Sequence, residues 1–241
     1  MTDAPRSPDA ERAVPTVRPG TALPGAGDLA LATDVLRPLL RDPEWLDTAR
    51  TAVATDPATL PRLFALAGRR AGRGPLHPSV DPTGVTHGTV DDAARAALVV
   101  ARADAAGPGA PGLANTLTTL YHQGDTAERR GVLRALDALT VRGPAPTAAV
   151  PLAEDALRAN DTSLVAAAVG PFGGRHLDDH TWRHAVLKLV FLGVPLQAVA
   201  GLDERADAEL SRMAHDLAAE RQAAGRDIPP DLTRLLRTTK E

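Results

Sequence analysis

Asp179-His-Thr-Trp-Arg-His-Ala-Val-Leu-Lys-Leu-Val-Phe-Leu192 repeats its apolar residues at the helical period of about 3.6 residues. Trp182, Ala185, Val186 and Leu189 fall on one face, and Leu187, Val190 and Phe191 cover much of the opposite side. The segment is therefore a helix that is apolar nearly all round, with Asp178 or Asp179 as its cap. From Trp182 to Leu192, Lys188 is the one charge beyond Arg183.

The same period governs the chain on either side. Upstream, helical patterning covers Ala148 to Ala159 and Asp161 to Val169; downstream come a turn near Leu196 to Val199, a helix from Asp207 to Ala224, and a last piece from Asp231 to Arg237. Asp207 and Gly225 fit the start and stop of the longer one. Further upstream, Leu29, Leu36, Leu39 and Leu40 form one stripe, and Asp42-Pro43 and Asp56-Pro57 open two more helices, the second stopping before Gly68. Helices then cover Asp91 to Ala105, Leu113 to His122 and Asp125 to Leu139. With no strand alternation, these predict an all-α fold of about ten helices in antiparallel pairs, either a bundle or a curved solenoid-like array.

Residues 1–27, rich in Pro and Gly and without periodicity, read as a disordered tail. Residues 28–142 form an N-terminal helical region and 147–241 a C-terminal one, parted by the breaker Gly143-Pro-Ala-Pro146 within one continuous domain. Gly68 to Gly88, with His77 and His87, is a long irregular connection of the kind that carries function or motion.

Composition narrows the chemistry. The 27 basic and 30 acidic side chains leave a net charge of -3, against a nucleic-acid or anionic-membrane binder. The absence of cysteine excludes thiol nucleophiles, disulfides and cysteine-ligated metals. The longest uncharged apolar run, Leu189 to Leu202, is interrupted by Gly193 and Pro195 and falls short of the roughly 20 residues a bilayer requires. Acidic Asp3, Asp9 and Glu11 do not suit a signal peptide. A cytoplasmic location is expected. No cofactor is expected either: Gly25-Ala-Gly27 lies in the tail, Gly170-Pro-Phe-Gly-Gly174 follows no strand, and no serine sits in a nucleophile elbow.

Two groups of side chains remain. His176, Asp178, Asp179, His180 and His184 are the densest set of metal-ligand types, and His180 and His184, four apart, share a helix face with Asp178 near. The stretch lacks the glutamate of a zinc-protease motif, so a capped helix with exposed histidines beside buried Trp182 is the alternative. Lys188, if buried, needs a carboxylate partner or a lowered pKa. It either pairs structurally, extends its stem to reach water, binds a ligand or moves protons. Arg221 continues the apolar stripe of Leu210, Met213, Ala214 and Leu217 and meets either an anionic ligand or a neighbouring carboxylate.

Leu157-Arg-Ala-Asn160, Pro171-Phe172 and Trp182 are followed by Val186-Leu-Lys188 and Phe191-Leu-Gly193-Val-Pro195. Gly201-Leu-Asp203-Glu-Arg205-Ala206, Arg212-Met213 and Glu220-Arg221-Gln-Ala-Ala-Gly225-Arg226 come after them. This series resembles the EboA domain family, with a weaker echo at Leu60 to Arg70; Arg183-His184 stands where relatives usually carry an amide pair. The resemblance implies a mostly helical bacterial protein in metabolite traffic. It further implies partners such as a UbiA-like membrane prenyltransferase, and it carries no catalytic residue with it. Its pattern coincides with Lys188, Asp203, Arg205 and Arg221. These four are the expected ligand-binding residues, the three cations as anion contacts and Asp203 as their partner. The function expected first is a non-catalytic component that binds a small metabolite or a pathway protein between helices. The rivals are an enzyme using Lys188 or a His180/His184 metal site, and a scaffold docking to the prenyltransferase.

Overall fold

The structure is a computed structural model describing residues 23–107, 109–143 and 145–237. The expected tail over residues 1–22 lies outside the described residues. Among those described there are fourteen α-helices and no strand. In order they are α1 (Ala26–Leu31), α2 (Thr33–Leu36), α3 (Pro43–Thr55), α4 (Leu60–Arg70), α5 (Val90–Ala106), α6 (Leu113–Gln123) and α7 (Thr126–Arg142). There follow α8 (Val150–Arg158), α9 (Thr162–Ala168), α10 (Pro171–His176), α11 (Asp179–Leu192), α12 (Leu202–Arg205), α13 (Ala208–Ala223) and α14 (Pro230–Leu236).

The count exceeds ten because the stripe expected over Leu29 to Leu40 is divided between α1 and α2, with Leu39 exposed, and because α10 and α12 are too short to show a periodicity. Capping chemistry fixed many of the others. The carboxylates of Asp42, Asp161, Asp178 and Asp207 each accept from backbone N–H groups of the first turn they precede. Asp125 and Glu128 form a reciprocal capping box at α7. Gly193 ends α11 in the left-handed conformation, φ 72°, where a Cβ would be strained. Several boundaries differ from expectation, among them the end of α7, expected at Leu139 and found at Arg142. The helix expected to stop before Gly68 runs on to Arg70, glycine being tolerated where α4 packs inward. Ala26 and Gly27, expected in the tail, begin α1 and are buried.

The long helices α5 and α7 form the centre, and α1, α3, α4, α6, α9 and α10 pack around them. A solenoid would have each unit touch only its chain neighbours. Here α1 and α10 both reach α7, so the arrangement is a bundle. One continuous apolar core runs from Ala26 to Leu235 and includes Ala145 beside the breaker, so the Gly143 to Pro146 interruption ends α7 without dividing the core. Helix α11 joins this core through α9 with Trp182, Ala185, Val186 and Leu189 buried, the face expected.

The centre also holds charge. Arg95 on α5 pairs with Asp91 at 2.5 Å and donates to the Phe64 carbonyl at 3.1 Å, both members being almost wholly buried. Asp92 is fully enclosed and accepts from Arg130 of α7 at 2.7 Å and from the Thr89 N–H at 3.1 Å. Arg134 reaches the carbonyls of Val85 and Thr86, and the Asp137 carboxylate accepts the Phe172 N–H at 2.9 Å. Asp137 thus acts as the N-cap of α10 from another helix. The cap position itself, Gly170, lies so close that any Cβ there would collide with the Asp137 carboxylate.

The irregular segment expected between Gly68 and Gly88 is tied down rather than loose. The Asp81 carboxylate accepts from the N–H groups of Val85, Thr86 and His87 and from the His87 ring. Burial would raise the Asp81 pKa, but these donors, His87 foremost, hold it below the usual carboxylate range. The His77 ring contacts the Pro24 carbonyl at 2.7 Å, closing the segment over the start of α1.

Candidate functional site

On α11, residues 180, 184 and 188 follow one another at four-residue spacing and so line one edge of the helix. That edge faces the end of α8 across a hollow of about 360 Å³, at the lower end of ligand-site sizes. Its walls carry Glu154 and Arg158 from α8, His180, His184 and Lys188 from α11, and apolar Leu157 and Ala185. The two histidine rings are exposed and meet edge to face with centroids 4.4 Å apart.

Lys188 is half-buried, and the protein groups its ammonium meets are backbone carbonyls, not carboxylates. The ammonium donates to the Leu157 carbonyl at 2.6 Å and to the Ala159 carbonyl at 2.9 Å. These oxygens belong to the C-terminal end of α8, where helical carbonyls lack intrahelical partners and the helix dipole is negative. This explains why Leu157-Arg-Ala-Asn160 and Val186-Leu-Lys188 occur together: one segment supplies the acceptors and the other the cation. Lys188→Met should lower the unfolding free energy by about 1–3 kcal/mol, the cost of buried carbonyls left unpaired. Urea denaturation checks this, and an unchanged midpoint would contradict it.

Arg205 plays the same part elsewhere. It donates to the carbonyls of Gly174 at 2.7 Å and Leu177 at 3.0 Å, at the end of α10, and to the Asp179 carboxylate at 2.7 Å. Its guanidinium lies 4.6 Å from the centre of the Trp182 ring. Arg221 donates to the Asp227 carbonyl at 2.9 Å, closing the turn after α13. Asp203 accepts from Arg234 of α14 at 2.7 Å. The four residues expected to gather round one ligand are thus distributed over the ends of α8 and α10, the turn after α13 and two ion pairs. Only Lys188 lines the hollow. A cation aimed inward at a helix terminus finds carbonyls there, and a sequence shows the cation but not the terminus.

The metal alternative fares similarly. Asp178 is turned to cap α11, accepting from the N–H and hydroxyl of Thr181. Among the described residues no group of three or more His, Asp or Glu side chains is arranged to hold a metal ion. Arg158 and Glu154 were missed as site residues, although Arg158 lies inside the Leu157-Arg-Ala-Asn160 element. A second hollow of about 690 Å³ lies among the ends of α5 and α7 and the start of α6. Gly107, Gly109, Gly112 and Leu113 line it, with the Arg142–Asp104 ion pair at its edge.

No described helix is long and apolar enough to cross a membrane. No curated protein and no solved structure is a match for the chain. A family match is found over residues 81–237, described as "Metabolite traffic protein EboA". It takes in α5 to α14, including the middle of the chain where the sequence resemblance was thin, and leaves out the echo at Leu60 to Arg70. The matched stretch is well over half of the sequence, and the chain belongs to the EboA family.

Proposed function

We propose that this protein is a non-catalytic component of metabolite traffic that holds a small metabolite in the hollow between α8 and α11. The observation that carries this reading is the concentration of Arg158, His180, His184 and Lys188 on the walls of one hollow, with Leu157 and Ala185 supplying apolar surface. The Lys188 clasp gives that wall a fixed shape, which favours binding of a ligand without reorganisation. A place on the cytoplasmic side, next to a UbiA-like prenyltransferase, fits the family's association with traffic. The test is an amide-resolved NMR screen of the full chain against carboxylated, phosphorylated and neutral metabolites. Binding is expected to move amides of α8 and α11; a panel that leaves all of them unmoved would sink the reading.

One observation favours a second reading, a scaffold that docks to a partner protein. Phe191, one of only three phenylalanines in the chain, is 62% exposed at the end of α11. Loss of co-purification with the prenyltransferase in Phe191→Ser, with metabolite binding retained, would support docking over carriage.

A further inference from the structure

We infer that the metabolite held between α8 and α11 carries a phosphate group, bound by Arg158 and by the remaining N–H of Lys188. The inference rests on the reading that this hollow binds a metabolite, and it adds the chemical class. An ammonium has three donors. In Lys188 two are directed at the Leu157 and Ala159 carbonyls, and the residue lines the hollow, so one donor remains for a ligand there. The carbonyls at the end of α8 contribute about half a negative charge, which the full charge of Lys188 exceeds. Arg158, the last residue of α8, is exposed, and no hydrogen bond or ion pair among the described residues occupies its guanidinium.

The balance of groups selects the class. Against one carboxylate, Glu154, the walls set a guanidinium, an ammonium and two imidazoles. A carboxylate ligand has two oxygens and one charge, and a single bidentate arginine satisfies it. A phosphate monoester has three terminal oxygens and a charge between one and two at neutral pH, which a guanidinium alone does not complete. The stripe from His180 to Lys188 extends about 12 Å along α11, room for the organic body of such an ester beside the imidazoles. Thr181 adds no free hydroxyl donor, since its hydroxyl donates to Asp178.

The test compares three probes sharing one carbon skeleton: glycerol 3-phosphate, glycerate and glycerol. Each is titrated into the full chain while the amides of α8 and α11 are followed by NMR. Lys188→Met is unsuitable because it also unclasps α8, so the variant used is Arg158→Gln, with Arg62→Gln, an exposed position on α4, as the control. Glycerol 3-phosphate is expected to bind more tightly than either other probe. Arg158→Gln should weaken it by about tenfold, and Arg62→Gln by less than about twofold. Glycerate or glycerol binding as tightly, or Arg158→Gln binding like wild type, overturns the inference while leaving a metabolite site in place. If glycerol 3-phosphate at about 10 mM moves none of these amides the inference also fails. The broader reading falls with it only if the wider metabolite panel leaves them unmoved as well.

Discussion

Replacing Arg95 by methionine is expected to lower the unfolding free energy by about 3–5 kcal/mol, the cost of stranding a buried charge. Both partners of the Arg95–Asp91 pair have side chains no more than 2% exposed. Methionine fills much of the arginine's volume and so limits the cavity contribution. What it removes is the charge opposite Asp91 and the donor to the Phe64 carbonyl. Asp91 then keeps the Thr89 hydroxyl, at 2.7 Å, as its side-chain donor, and the Arg130 guanidinium nearby offsets part of its charge. Urea denaturation followed by circular dichroism measures the loss. The double variant Asp91→Leu/Arg95→Met should recover part of it, since a neutral pair leaves no stranded carboxylate. A single variant within about 1 kcal/mol of wild type would mean that water reaches Asp91 and that the centre is not as dry as the structure has it.

The second large effect concerns pH. Burial pushes the Asp137 carboxyl up to about 6, although the neighbouring Arg134 and the Phe172 N–H favour its ionised form; Asp28 of α1 adds to the rise. A carboxyl with a folded pKa above its unfolded value binds its proton more tightly in the native state. Its contribution to stability is complete below pH 4 and is lost as pH rises through 6. A displacement of about two pKa units corresponds to about 3 kcal/mol. Asparagine at 137 retains an acceptor for the α10 cap and does not titrate. The stability of Asp137→Asn relative to wild type should therefore rise by about 3 kcal/mol between pH 4 and pH 7, whatever its absolute value. Denaturation curves of both proteins across that range check the difference. A constant offset would show that Arg134 keeps Asp137 ionised throughout.

Much of the helical framework was legible in the sequence. The limits of α11 were read to the residue because Asp178 and Gly193 bracket an uninterrupted apolar pattern. For α13 the expected span, Asp207 to Ala224, was one residue too long at each end: Asp207 is its N-cap, Ala224 its C-cap, and Gly225 follows at φ 65°. The short helices were not legible. Pro171–His176 and Leu202–Arg205 contain too few turns for a periodicity, and they form because Asp137 and Leu202 anchor them in the core. Polar residues in the centre were missed for a different reason. Asp91 and Arg95, like Arg134 and Asp137, stand four and three residues apart on alanine- and leucine-rich helices, a spacing that an exposed pair would share.

The candidate site divides in the same way. Lys188 was singled out from the apolar character of its helix, and its inward turn is what the structure has. Its partners were expected to be acids and are carbonyls. Arg221, and Arg205 apart from its pair with Asp179, likewise end on backbone oxygens that no side-chain inventory contains.

What the sequence determined by itself was the all-helical class, most helix starts and stops, and which faces are apolar. Those properties follow from local terms: the 3.6-residue period, capping side chains, and the backbone freedom of glycine and proline. Only the tertiary structure decided which helix ends meet which cations, that charge occupies the centre of α5 and α7, and that Arg158 and Lys188 share a hollow. Most of those outcomes depend on contacts between residues far apart in the sequence, such as Lys188 with Ala159, 29 positions away. Backbone carbonyls are the same at every residue, so only the approach of two packed helices can single one out as a partner.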